Sequence, residues 1–261
     1  MLKRKFYYYL QEWKKNKKTE CLLVNGARQI GKTYIIEQFG KDNYESYIYL
    51  NFIKNPELKN IFVTGTGTDV GKTFVTNLII KKLRDAGLSA GYYKAAASGI
   101  SKVIAGKNVS YIYKDAVSPH LAAKIARRPI EISVIEKDFA AASEKFEYLA
   151  VEGSGGIICP LRWDDKKILL EDLIRILNLP VLIVADSGLG TINATVLTVE
   201  YLQRRNFPVR GIILNRWSGS AMEIDNAQMI FELSKIPIIA KVSNNAAELE
   251  MNLDDLKKIF A

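Results

Sequence analysis

Two stretches of this chain carry the residue types and spacing that hold a nucleotide phosphate. Gly26-Ala27-Arg28-Gln29-Ile30-Gly31-Lys32-Thr33 matches the G-x4-G-K-[ST] phosphate loop in full. Val63-Thr64-Gly65-Thr66-Gly67-Thr68-Asp69-Val70-Gly71-Lys72-Thr73 is a second such pattern, with one extra residue between Gly65 and Gly71. Glycines let backbone N–H groups turn inward around a phosphate, the lysine adds charge at the outer oxygens, and the threonine hydroxyl can ligate Mg²⁺. Further on, Lys94 offers a cation, and Glu152 a carboxylate at the head of Glu152-Gly153-Ser154-Gly155-Gly156. Such a set suits chemistry on anions, in which cations and N–H donors surround developing negative charge. The single histidine, His120, leaves no multi-histidine metal site.

Each loop requires a strand before it and a helix after it. Apolar, β-branched runs that read as buried strands are Cys21–Val24, Tyr47–Phe52, Ile61–Thr64, Tyr148–Val151, Val181–Ala185, Val209–Leu214 and Ile236–Ala240. Helical spacing occupies Thr73–Ala86, Leu169–Leu177, Asn193–Arg205 and Asp225–Leu233. This alternation predicts an α/β fold of the P-loop NTPase type, a parallel sheet with helices on both faces. The polar, proline-bearing stretch Lys54–Asn60 marks a seam. Before it, the first loop lacks room for the later strands and the acidic motif of a complete nucleotide-binding domain. Residues 1–59 therefore read as an appended partial P-loop fragment and residues 60–261 as the complete domain.

Composition narrows the function classes. Apolar residues make 48% and charged residues 25% of 261 residues, which excludes disordered, collagen-like and coiled-coil chains. No run approaches the ~20 apolar residues of a membrane helix, and no secretory signal is evident at the start. Cys21 and Cys159 lie far apart, as suits a reduced, cytoplasmic protein. Of the net charge of +9, residues 1–60 carry +6 (12 basic, 6 acidic), in runs such as Lys14-Lys15-Asn16-Lys17-Lys18. We read these runs as solvated helix faces and set nucleic acid aside as a partner.

From residue 60 onward the chain resembles dethiobiotin synthetase. The resemblance rests on Gly65–Thr73, on Gly91-Tyr92-Tyr93-Lys94-Ala95-Ala96-Ala97-Ser98-Gly99 and on Val117-Ser118-Pro119-His120-Leu121-Ala122-Ala123. It continues through Val151–Gly156, Gly188-Leu189-Gly190-Thr191-Ile192-Asn193 and Asn215. It implies ATP-dependent carboxylation of 7,8-diaminononanoate by CO₂ and closure of a ureido ring, with a carbamate activated by the γ-phosphoryl group. It also implies that ATP rests on Asp69, Val70, Gly71, Lys72, Thr73, Phe74, Glu152, Gly153, Ser154, Gly155 and Asn215, the last reading the adenine. Mg²⁺ falls to Thr73 and Glu152, and catalysis to Lys94, at a strand end, with Lys72. Substrate falls to Thr68 and Ser98, with Gly190, Thr191 and Asn193 reaching in from the partner of a homodimer. Residues 1–59, by the same kind of likeness, resemble the start of an AAA-type ATPase.

One departure stands out. Where the family carries a longer segment with a metal-binding aspartate, this chain has only Ile100–Ala116, with no acidic residue before Asp115. Asp115 abuts the Ser118-Pro119 helix start, on the wrong side of the segment. The expectation is an enzyme impaired through its metal. Two alternatives stay open, a nucleotide-binding relic without useful ligase activity and an ATPase working through the first loop.

Overall fold

The computed structural model describes residues 5–16, 32–44, 59–99 and 108–260. The chain divides into two compact units, Met1–Asn55 and Pro56–Ala261. In the first, helices α1 (Lys5–Lys15) and α2 (Lys32–Asn43) enclose a small cluster of Tyr7, Leu10 and Phe39. The Tyr7 hydroxyl donates to Asp42 at 2.5 Å, and the Tyr7 and Phe39 rings meet edge to face. The strands read at Cys21–Val24 and Tyr47–Phe52, and most of the first loop, lie outside the described residues.

The second unit is built on a seven-stranded sheet. Its strands are β1 (Asn60–Gly65), β2 (Ala90–Ser98), β3 (Asn108–Tyr113), β4 (Tyr148–Glu152), β7 (Val181–Asp186), β8 (Val209–Asn215) and β9 (Ile238–Val242). Their spatial order is β3-β2-β4-β1-β7-β8-β9, and every pairing is parallel. A short antiparallel hairpin, β5 (Pro160–Trp163) with β6 (Lys167–Leu169), stands apart. Helices α3 (Lys72–Asp85), α4 (Pro119–Ile125), α5 (Ile132–Ser143), α6 (Leu170–Leu177), α7 (Thr191–Arg204), α8 (Ala221–Ser234) and α9 (Leu253–Lys258) complete the unit.

Side chains alternate along each strand, so one strand feeds two cores. On β1, Ile61 and Val63 enter the cluster shared with Val75, Ile79 and Leu83 of α3 and Leu256 of α9. Phe62 points the other way, among Leu173, Leu202 and Ile230 of α6, α7 and α8. Both faces are covered, which is why these strands read as continuous apolar runs. Each fully buried leucine or isoleucine contributes ~1.5–3 kcal/mol.

Within residues 60–261 the elements read from sequence are present with shifted ends. Ile236–Ala240 sits later, as β9 at Ile238–Val242, and Asp225–Leu233 lengthens backwards to Ala221 because Ser220 caps α8. The edge strand β3, helices α5 and α9 and the β5–β6 hairpin are additional. Asn108 pairs with Tyr93 and Tyr113 with Ser98, so residues 99–107 alone join two parallel strands. Parallel crossovers usually take a dozen or more residues, so this one is short.

Candidate active site

Ligands of such sheets bind beyond the strand C-termini, where the order of strands reverses. Here that place is the end of β1, between β4 and β7. The loop Gly65–Gly71 leaves β1 there and enters α3 directly. Gly71 has φ +91°, and a Cβ on it would lie 2.0 Å from the Asn215 amide nitrogen, so glycine alone fits. That nitrogen donates to the Val70 carbonyl at 3.0 Å, fastening the end of β8 to the phosphate loop. Lys72 is buried and donates to the Gly67 carbonyl at 2.7 Å. Burial pushes its ammonium below the ordinary lysine range, and Glu152 opposes that shift.

Glu152 ends β4 with its side chain 1% exposed, and it is the hub of the site. Its Oε1 accepts from Thr73 Oγ1 at 2.8 Å and from Lys94 Nζ at 2.6 Å, while Oε2 accepts from the Tyr92 hydroxyl at 2.8 Å. Lys94 does not stand at a strand end, as the sequence reading expected. It lies mid-way along β2, opposite Glu152 in the β2–β4 register, because β2 continues to Ser98 to pair with β3. The turn after β4 folds back over the loop. Gly153 N–H donates to Val63 O at 2.9 Å, and Ser154 Oγ donates to Ala96 O at 2.7 Å. Gly155 lies beside Thr68 and Cys159. Burial pushes the Cys159 thiol up to about 11, leaving it an inert apolar group.

The structure thus gathers Val70, Gly71, Lys72, Thr73, Lys94, Glu152, Gly153, Ser154, Gly155 and Asn215 around one loop. Thr68, Asp69 and Phe74 are exposed on its outer side, and Ser98 is half-buried at the end of β2. Gly190, Thr191 and Asn193 form a separate group. Thr191 and Asn193 lie inside the first turn of α7, which starts two residues before the helical run read from Asn193. Among the described residues, no hydrogen bond joins this group to Lys94, Ser98 or Glu152.

Sequence reasoning missed the supports. Tyr92 stands two residues before Lys94 on β2, so strand alternation places both on one face. Glu223 accepts from Ser187 Oγ at 2.7 Å, from Ser218 Oγ at 2.6 Å and from Ser220 N at 2.9 Å. Asn226 donates to the carbonyls of Ser187 and Gly188. Together they pin the turn before α7. Arg216 joins Asp186 to the Asp69 carbonyl across the loop. Asp115, read as misplaced, accepts at its backbone carbonyl from Gly99 N–H at 3.0 Å, beside the end of β2.

A family model described as an AAA domain matches residues 59–250, and a second of the same description matches residues 18–65. The chain is 46% identical over 217 residues to an ATP-dependent dethiobiotin synthetase of Brachyspira hyodysenteriae, covering 76% of this chain and 98% of that one. It is 44% identical over 225 residues to an ATP-dependent dethiobiotin synthetase of Clostridium botulinum strain Loch Maree, covering 77% and 98%. The chain belongs to the dethiobiotin synthetase family. Among solved structures, the MinC:MinD cell division complex of Aquifex aeolicus matches with TM-score 0.51 at 16% identity, over 77% of this chain and 86% of that one. That likeness shows the P-loop α/β fold alone. Among the described residues of this dethiobiotin synthetase relative, no helix is long and apolar enough to cross a membrane.

Proposed function

We propose that the chain is an ATP-dependent dethiobiotin synthetase that carboxylates 7,8-diaminononanoate with CO₂ and closes the ureido ring, as a cytoplasmic homodimer. One observation carries the reading: Lys94 and Glu152, distant in sequence from each other and from the loop, converge on Lys72 and Thr73 of one phosphate loop. Identity to named synthetases over nearly their whole length supports it. Residues 60–261 form the working domain, and residues 1–59 are an appended fragment.

In this reading the loop N–H groups and Lys72 bind the ATP phosphates, and Asn215 meets the adenine. Mg²⁺ fits the donors present. Thr73 Oγ1 and Glu152 Oε1 are neighbouring hard oxygens, and the ion otherwise keeps water and phosphate oxygens. When bound, it neutralises charge on the transferring phosphoryl group. Lys94 releases Glu152 and turns its ammonium to the carbamate oxygens, while Thr68 and Ser98 orient the diamine. Gly190, Thr191 and Asn193 of a second copy hold the substrate carboxylate on helix N–H groups. Diaminononanoate- and CO₂-dependent phosphate release, with dethiobiotin identified by mass, tests the reading. Phosphate release independent of both substrates would defeat it.

A second reading is an impaired enzyme or nucleotide-binding relic. Among the described residues no group of three acidic, histidine or cysteine side chains could hold a metal. The short connection 99–107 leaves no place for the family's aspartate segment. The 217 aligned positions also exceed the roughly 198 residues that 76% of 261 represents, which supports such a deletion. A steep demand for Mg²⁺ in the same assay favours this reading.

A further inference from the structure

We propose that Tyr92 is a positioning residue of this site, its phenol holding the Glu152 carboxylate in place when Thr73 and Lys94 leave it for their ligands. The inference rests on the reading in which Thr73 and Glu152 meet the metal and Lys94 meets the carbamate.

The three donors to Glu152 are unequal. Thr73 and Lys94 share Oε1, and each has other work once ATP and substrate arrive. A threonine hydroxyl rotates freely, and a lysine ammonium swings on a four-carbon stem. Tyr92 alone, among the described residues, serves Oε2. Its ring is 5% exposed, lodged in the apolar cluster with Ile61, Val63 and Val75, and has only two torsions to set. Its place is fixed by the sheet: Tyr92 pairs with Ala150 and Lys94 with Glu152 in one parallel register. Tyr92 is therefore the bond that persists while the others exchange. Without it Oε2 is buried and unpaired, and the carboxylate is free to turn. Slack of ~1 Å in such a group costs about a hundredfold in rate.

The test compares the unaltered chain, Tyr92→Phe and Glu152→Gln by ATP affinity with and without Mg²⁺, beside kcat and KM. Tyr92→Phe should bind ATP in chelator as the unaltered chain does, because the phosphate loop is intact. The factor by which Mg²⁺ tightens ATP should fall at least ~threefold. Where turnover is measurable, kcat should fall ~tenfold with KM for ATP little changed. A Tyr92→Phe variant that loses only thermal stability, with Mg²⁺ tightening unchanged, overturns the proposal. If Glu152→Gln leaves Mg²⁺ tightening intact, Glu152 does not meet the metal; the underlying reading falls, and this one with it. Should Tyr92→Phe fail to fold, the hydroxyl proton of Tyr92 in the unaltered chain decides. Its protection from exchange should persist at saturating Mg²⁺ and ATP, and its loss there overturns the proposal.

Discussion

Lys72 and Lys32 hold equivalent places in two phosphate-loop patterns, and among the described residues the second loop meets partners from further along the chain. Lys72 is buried beside a loop carbonyl, with Thr73, Glu152 and Lys94 close by. Lys72→Ala should abolish ATP binding, whereas Lys32→Ala should leave the affinity within about twofold; nucleotide titration of the two variants separates them. The loop was legible because its chemistry is local, a fixed spacing of glycines, lysine and threonine. The Lys94–Glu152 pair was not, since two strands 58 positions apart meet only through sheet register. Tyr92 was hidden for a different reason. A buried tyrosine reads as core, and its hydroxyl partner cannot be known before the fold is.

At the scale of elements, α8 supports the turn before α7. Donors from Ser187 and Ser218 hold the Glu223 carboxyl well below the usual carboxylate range, against a cost of burial. A glutamate in the unfolded chain titrates near ~4.3. Glu223 thus contributes stability that is fully present above that pH and lost as pH falls through the lower folded value. Glu223→Gln should lower Tm at neutral pH and flatten the fall of stability between about pH 5 and 3. The KM for diaminononanoate should rise in the same variant, because Ser187 adjoins Gly188–Gly190. Differential scanning at stepped pH, with initial rates, measures both effects. The β2–β3 connection makes a second case. A family-length segment bearing its aspartate, inserted between Gly99 and Asn108, should restore rate and lower the Mg²⁺ needed for half-maximal turnover by several-fold. An unmodified chain already at full rate with ordinary Mg²⁺ dependence would show that the aspartate is dispensable. Strands with continuous apolar runs were legible in the sequence. The edge strand β3 was not: Asn108, Val109, Ser110 and Ile112 are partly or fully exposed, so hydrophobic burial writes no clear pattern there.

For the whole molecule, the two compact units differ in what they bring. The described residues gathered around Glu152 come from the second. Removing residues 1–59 should therefore leave ATP affinity and ligase rate unchanged and Tm within a few degrees. Circular dichroism melting and titration of the truncated chain check this, and failure to fold would move the seam. Under the proposed function Gly190, Thr191 and Asn193 serve the site of a second copy, which ties oligomeric state to catalysis. Sedimentation should give a dimer, and a mixture of Lys94→Ala chains with chains carrying Asn193→Ala should regain about a quarter of the activity by pairing intact half-sites.

The bond from Asn215 to the Val70 carbonyl has a consequence for base discrimination. One N–H of that amide is spent on the loop, which orients the side chain and leaves its carbonyl oxygen and its second N–H for an incoming base. With Asn215 as the base-reading residue, that oxygen accepts from an exocyclic amino group and faces lone pair against lone pair with a keto group. Adenine and cytosine carry the amino group at the corresponding edge, and guanine and uracil the keto group. The orientation of that amide is then set before any nucleotide arrives, by the same contact that shapes the phosphate loop.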